Sequence, residues 1–196
     1  MAFIFDLDYT LYGPEFRKYE HSENLFYSKF KRDGLLNEQL KQLPGKVYLF
    51  TNGNDDHALD VIKKMKLKCI FRNHIVTRDT FGGLQKPDKR IYPLVIQKFN
   101  LKNLKPQHIY FFEDTPKNLR VAKRLGWTTI LIHPSTRRKP SYCDLKFDTI
   151  YDALAHFCKK KRRQRKKSSS KRKRKLSSSK NKKKRGPKPN FRPRKK

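Results

Sequence analysis

Apolar residues in this chain fall into short runs separated by longer amphipathic stretches. Residues 2 to 7 open with Ala2-Phe3-Ile4-Phe5, aromatic and branched, which predicts a strand buried on both faces. From Glu15 to about Leu43 the apolar positions recur at near-helical spacing (Phe16, Tyr19; Leu25, Phe26, Phe30; Leu36, Leu40, Leu43) until Pro44-Gly45, so one or two helices are expected there. Val47 to Phe50 predicts a second strand, and Thr51-Asn52-Gly53-Asn54 supplies good N-caps for a helix running to about Lys66. Ile75 to Thr77 is a third, shorter strand. After Gly82-Gly83, the segment Lys86-Pro87-Asp88 is expected to start a helix with Ile91, Leu94, Val95 and Phe99 on one face.

Ile109 to Phe112 predicts a fourth strand, Pro116 to Leu125 a helix closed by Gly126, and Thr128 to Ile132 a fifth strand. A last helix is expected from about Thr149 to Cys158. Strand and helix alternate throughout, which implies an α/β fold, a Rossmann-like open parallel sheet with helices on both faces. Ligands of such sheets bind beyond the C-terminal ends of the strands.

Composition changes the picture at one end. The chain has 196 residues and a formal net charge of +33. Residues 159 to 196 hold 23 of its 50 Lys and Arg and no Asp or Glu, leaving 27 basic and 17 acidic residues in 1 to 158. Two regions follow: a domain over 1–158 with a small helical insert at about 12–44, and a tail over 159–196 too poor in apolar residues to offset its ordering entropy, hence expected to be disordered. The clusters at Lys159–Lys167, Lys171–Lys175 and Lys182–Arg185 suit a nucleic-acid patch or a nuclear localisation signal, or else a solubilising extension. Phosphorylation of Ser168–Ser170 and Ser177–Ser179 would partly cancel that charge. Cys69, Cys143 and Cys158 are odd in number and widely spaced, so reduced thiols are expected rather than disulfides or a zinc site. No leader-like segment and no membrane-length apolar run is seen, so an intracellular protein with no membrane partner is expected, nuclear in a eukaryotic host.

Asp6 and Asp8 stand two apart at the end of the first strand, so their carboxylates share one direction if the extended geometry persists. Such a pair can divide nucleophile or metal-ligand work from general acid/base work, or it can simply cap a turn. Four motifs in order then carry a resemblance. Asp6-Leu7-Asp8-Tyr9-Thr10-Leu11 after Phe3-Ile4-Phe5, Phe50-Thr51-Asn52-Gly53, Lys86-Pro87-Asp88, and Tyr110-Phe111-Phe112-Glu113-Asp114-Thr115-Pro116-Lys117-Asn118 together resemble the haloacid dehalogenase (HAD) superfamily over residues 2 to about 133.

The resemblance implies that Asp6 attacks phosphorus and forms an aspartyl-phosphate, while Asp8 protonates the leaving oxygen and then activates water. Thr51, the backbone N–H of Asn52 and Lys86 would bind the phosphoryl group. Asp6, the backbone carbonyl of Asp8, and Asp114 with Glu113 nearby would hold Mg²⁺, the hard cation that crowded carboxylates call for. The acid at Asp8 marks phosphatases rather than carbon–halogen hydrolases, and the short insert argues against a mutase. Phe5-Asp6-Leu7-Asp8-x-Thr10-Leu11-Tyr12 with Phe111-Phe112-Glu113-Asp114-x-x-x-Asn118 is most similar to the pyrimidine 5′-nucleotidase branch. The reduced cap departs from that branch, so phosphorylated ends of larger molecules stay open as substrates beside small phosphate monoesters. Tyr12, Phe16 and Tyr19 could stack on a base or form the insert's own core. A catalytically inactive nucleic-acid-binding protein is the competing class. His57, His108 and His133 show no metal-ligand spacing and are read as structural or surface residues.

Overall fold

The computed structural model of the protein describes residues 1–134 and 138–158. Strand β1 (Ala2–Phe5) is the centre of the sheet, pairing in parallel with β2 (Lys46–Phe50) on one side and β4 (Ile109–Glu113) on the other. The sheet continues to β3 (Ile75–Val76) beyond β2, and to β5 (Thr128–Ile132) and β6 (Leu145–Phe147) beyond β4. The order is β3-β2-β1-β4-β5-β6, all parallel, and it reverses direction between β1 and β4. Open sheets of this kind form their ligand crevice where the order reverses.

Because side chains alternate along a strand, β1 sends Ala2 and Ile4 to one face and Phe3 and Phe5 to the other. Ala2 and Ile4 join the core under α5 (Ile91–Lys98) and α6 (Pro116–Arg124). Phe3 and Phe5 join the core under α2 (Gly34–Lys41), α3 (Asp55–Lys64), α4 (Lys68–Phe71) and the helix α7 over residues 150–158. All four β1 residues are fully buried, each large side chain contributing about 1.5–3 kcal/mol of hydrophobic stabilisation. Between β1 and β2 the chain forms the insert: a 3-10 turn (Pro14–Tyr19), α1 (Glu23–Ser28) and α2. The caps follow the local sequence, since Ser22, Asp33 and Asn54 accept backbone N–H groups at the starts of α1, α2 and α3.

Two expectations are corrected. Lys86-Pro87-Asp88 does not open a helix: α5 begins at Ile91, and Lys86–Pro87 is a cis peptide in the preceding turn. The Asp88 side chain accepts the Arg90 backbone N–H at 2.9 Å and pairs with its guanidinium, a local alternative to helical bonding. The sheet also has a sixth strand, β6, too short and only half buried along its length, so it carries no periodic signal. The tail over 159–196 lies outside the described residues. Among the described residues no helix is long and apolar enough to cross a membrane.

Phe3 is fully buried and stacks on Tyr110 at 5.0 Å, whereas Leu35 on α2 is 60% exposed. Phe3→Ala is expected to lower unfolding free energy by roughly 3–5 kcal/mol and Leu35→Ala to change it by no more than about 0.5 kcal/mol, measured by urea denaturation.

Candidate active site

Three neighbouring strands end at one place. The register aligns Phe5 with Phe112, so the next residues, Asp6 and Glu113, stand side by side, and the Asp6 N–H donates to the Phe112 carbonyl at 2.9 Å. β2 ends beside them in Thr51-Asn52-Gly53. Beyond Phe5 the alternation carries on before the chain turns, with Tyr9 at φ 58°: Leu7 joins Phe3 and Phe5 in the core, while Asp6 and Asp8 both open on one cleft.

Lys86 is the cation of this site. Its Nζ donates to Asp6 Oδ1 at 2.6 Å, to Glu113 Oε2 at 2.7 Å and to the Phe50 carbonyl at 2.9 Å, using all three ammonium donors. The rings of Phe50 and Phe111 lie 4.9 and 5.4 Å from it. The Lys86 side chain is 1% exposed. Asn52 fixes the backbone that carries it: Asn52 Nδ2 donates to the Lys86 carbonyl and Asn52 Oδ1 accepts the Lys86 N–H, both at 2.9 Å. Glu113 is held in turn by the Thr115 N–H at 3.0 Å and by Asn118 Nδ2 at 3.0 Å.

One lysine does not balance this many acids. Burial works to lower the Lys86 pKa, but the charges of Asp6 and Glu113 outweigh it and hold Lys86 above the ordinary lysine value. Burial and the Glu113 charge hold Asp6 well above the usual carboxylate range despite Lys86. The same two causes push Asp114 up to about 7. Both partners of the Asp6–Lys86 pair rise because Lys86 faces two carboxylates while Asp6 faces a second acid. Charge of the opposite sign is therefore in deficit, and a divalent cation is the group that would remove it. Asp6, Glu113 and Asp114 can each offer one oxygen with all three atoms within 4.8 Å of one another. Thr115 Oγ1 donates to Asp114 at 3.2 Å, and the exposed Arg17 guanidinium approaches Asp114 at 3.7 Å while lying 4.3 Å over the Tyr9 ring.

Asp8 opens onto the same cleft, a space of about 240 Å³ shared with Asp6, Asn52, Lys86, Glu113 and Asp114. Its carboxylate lies outside the three-acid group, turned toward donors. Tyr12 O–H donates to Asp8 Oδ1 at 2.5 Å, His57 Nε2 lies 2.6 Å from the same oxygen, and Thr51 Oγ1 lies 3.4 Å from Oδ2. Burial works to raise the Asp8 pKa, but the bonds from His57 and Tyr12 outweigh it and leave it below the ordinary value. Thr51 Oγ1 also accepts the Gly53 N–H at 2.9 Å.

His57 therefore departs from the expectation that it is merely structural or superficial. Its position three residues past the Asn54 cap, in the first turn after a strand-end loop, is the signal that could have singled it out. His108 and His133 are exposed on other elements, as expected. Tyr12, Phe16 and Phe30 pack on one another with centroids 4.6–4.9 Å apart, so Tyr12 and Phe16 belong to the insert's own core. Tyr19 touches Phe16 at 6.4 Å and carries Lys18 and Lys29 5.0 Å from its ring. Arg17 had no distinguishing signal in a Lys- and Arg-rich chain.

Comparison with known proteins gives matches to parts of this chain and to its fold. A family model described as a haloacid dehalogenase-like hydrolase matches residues 31–126, which include Thr51, Lys86, Glu113 and Asp114 but not Asp6 or Asp8. The Rhythmically expressed gene 2 protein of Drosophila melanogaster is 34% identical over 80 residues, 39% of this chain and 31% of that protein, so the match spans about a third of the relative's length. Among solved structures, a putative beta-phosphoglucomutase from Thermotoga maritima is similar with TM-score 0.61 and 17% identity, over 79% of this chain and 96% of that one. L-2-haloacid dehalogenase from Xanthobacter autotrophicus gives 0.59 and 14%, over 79% and 96%. A HAD phosphatase from Thermococcus onnurineus gives 0.56 and 20%, over 78% and 95%. The chain has the haloacid dehalogenase-like fold, with an acidic group at its site able to hold a divalent metal.

If a cation relieves the surplus charge, Mg²⁺ at 100 times its Kd should stabilise the fold by about 2.7 kcal/mol. Differential scanning fluorimetry is expected to show a rise in Tm with Mg²⁺ that chelator reverses and that Asp114→Asn loses; an equal rise in the variant would place the ion elsewhere.

Proposed function

We propose that this protein is a Mg²⁺-dependent phosphatase that hydrolyses phosphate monoesters through an aspartyl-phosphate on Asp6. The observation that carries the reading is the clamp on Asp6. Lys86 holds Oδ1 at 2.6 Å, which fixes the carboxylate and leaves Oδ2, 3.4 Å from Thr10 Oγ1, to attack.

Asp6 attacks phosphorus as the bond to the leaving oxygen breaks. The leaving oxygen takes the electron pair and a proton from Asp8. In the second half, Asp8 accepts a proton from water, whose oxygen attacks phosphorus and releases Asp6. Thr51, the backbone N–H of Asn52 and Lys86 orient the phosphoryl oxygens, and most of the barrier reduction comes from such fixed donors and charges. Asp6, Asp114 and the backbone carbonyl of Asp8, with Glu113 alongside, would hold Mg²⁺, which when bound would neutralise phosphate charge and offset repulsion among the acids.

Beyond Asp8 lies a second cleft of about 430 Å³, with Tyr9, Tyr27 and His57 among its walls and Glu20 and Glu23 at its rim. It offers the leaving alcohol an aromatic surface, which supports a nucleoside monophosphate as substrate. The insert that forms it is a reduced cap, leaving the cleft open. The tail over 159–196, with 23 basic residues and no acid, supports a second role in holding nucleic acid, and in a eukaryotic host a nuclear address.

Distinct outcomes are expected for the site and for the tail. Purified protein releases phosphate from p-nitrophenyl phosphate and nucleoside monophosphates with Mg²⁺ and not with EDTA. Asp6→Asn abolishes turnover in a folded protein, and an active Asp6→Asn would sink the mechanism. Deleting residues 159–196 lowers affinity for single-stranded oligonucleotides and flattens the salt dependence of binding; unchanged binding would remove the tail from that role. If the enzyme works on nucleic-acid ends, the same deletion also reduces turnover of a 5′-phosphorylated oligonucleotide far more than of a mononucleotide, and equal effects would count against that substrate.

A further inference from the structure

The ring of His57 occupies a built seat between the insert and the sheet. Its backbone N–H donates to Asn54 Oδ1 at 2.9 Å, which fixes the first turn of α3. On one side is Gly53, where a Cβ would come within 2.7 Å of His57 Cδ2, so only a bare Cα lets the ring sit there. On the other side Phe26 lies nearly parallel, with centroids 6.1 Å apart. At its two nitrogens, Nδ1 is 2.8 Å from the Tyr27 hydroxyl and Nε2 is 2.6 Å from Asp8 Oδ1. The Asp8 carboxylate can only accept, so the ring donates to it from Nε2, while Nδ1 and the Tyr27 hydroxyl share a hydrogen bond that braces the other end of the ring.

Asp8 Oδ1 thus accepts two short hydrogen bonds, from His57 and Tyr12, while Oδ2 has only Thr51 at 3.4 Å. Two donors fill Oδ1, so Oδ2 is the oxygen left to exchange a proton with a substrate. We propose that His57, braced by Tyr27 of α1, is a positioning residue that fixes the Asp8 carboxyl so that Oδ2 delivers its proton to the leaving oxygen. Through Tyr27 and Tyr12 the insert thereby sets the chemical step as well as the shape of the cleft. The inference rests on the reading of Asp8 as the general acid.

Leaving-group chemistry separates this role from a structural one. p-Nitrophenolate departs without a proton, whereas the alkoxide of propyl phosphate needs one. Steady-state kinetics with Mg²⁺ are compared for the full-length wild type, Asp8→Asn, His57→Ala, His57→Gln and Tyr27→Phe, with circular dichroism to verify folding. General acid catalysis contributes about 10²–10⁴-fold, so losing its alignment in His57→Ala is expected to cut kcat on propyl phosphate by roughly 10–100-fold while changing kcat on p-nitrophenyl phosphate less than about 3-fold, whatever removal of the ring from the leaving-group cleft does to KM. His57→Gln, which keeps a donor of similar reach, recovers most of the loss, and Tyr27→Phe, a milder change that keeps the ring, shows a smaller split in the same direction. Equal losses on both esters, or a change in KM alone, overturn the proposal. If Asp8→Asn shows the split and neither His57→Ala nor Tyr27→Phe does, this inference fails while the phosphatase reading stands. A wild type that hydrolyses neither ester overturns both.

Discussion

A buried ammonium group between two buried carboxylates is the constraint on which this structure turns. Lys86 reaches the C-terminal edge of the sheet from a loop 80 residues away in sequence from Asp6, and its three donors find Asp6, Glu113 and the Phe50 carbonyl. Removing one partner of such a group costs about 3–5 kcal/mol, because a charge is then left buried without compensation. Everything that brings these residues into register is therefore tied to stability as well as to chemistry: the parallel pairing of β1 with β2 and β4, the strand ends at the reversal of sheet order, and the reciprocal hydrogen bonds from Asn52 to the Lys86 backbone.

That arrangement is deliberately incomplete in its charge. Four carboxylates, from Asp6, Asp8, Glu113 and Asp114, open on one cleft, and the buried Lys86 with the exposed Arg17 neutralises part of them. Burial and the neighbouring Glu113 charge together hold the Asp6 and Asp114 carboxyls above their ordinary range. Asp8 escapes the same fate because it turns to His57 and Tyr12 instead of to the other acids. Two carboxylates two residues apart thus occupy different electrostatic surroundings.

Most of the sheet was legible because its longer strands, Ala2–Phe5, Lys46–Phe50, Ile109–Glu113 and Thr128–Ile132, are largely apolar runs. β6 was not, since Leu145-Lys146-Phe147 is too short and too exposed to carry a pattern. The acids and Lys86 were legible through motif order, yet the helix expected at Lys86 starts at Ile91, because Asp88 spends its side chain on Arg90. Arg17 was illegible for a different reason, and for His57 only its place after the Asn54 cap gave a signal. Their roles depend on the tertiary approach of the insert to the sheet, with Tyr27 against His57 and Arg17 over Tyr9, and spacing along the chain does not encode that approach.

Nucleophilic attack by Asp6 is the central claim, and chemical trapping addresses it most directly. Acid quench of the protein during turnover of a phosphate monoester, followed by proteolysis and mass spectrometry, should find one phosphoryl group on the peptide that begins the chain, located at Asp6 and enriched in Asp8→Asn, where water activation is impaired. Phosphate release in the absence of any such adduct, or an adduct on another residue, would contradict the account.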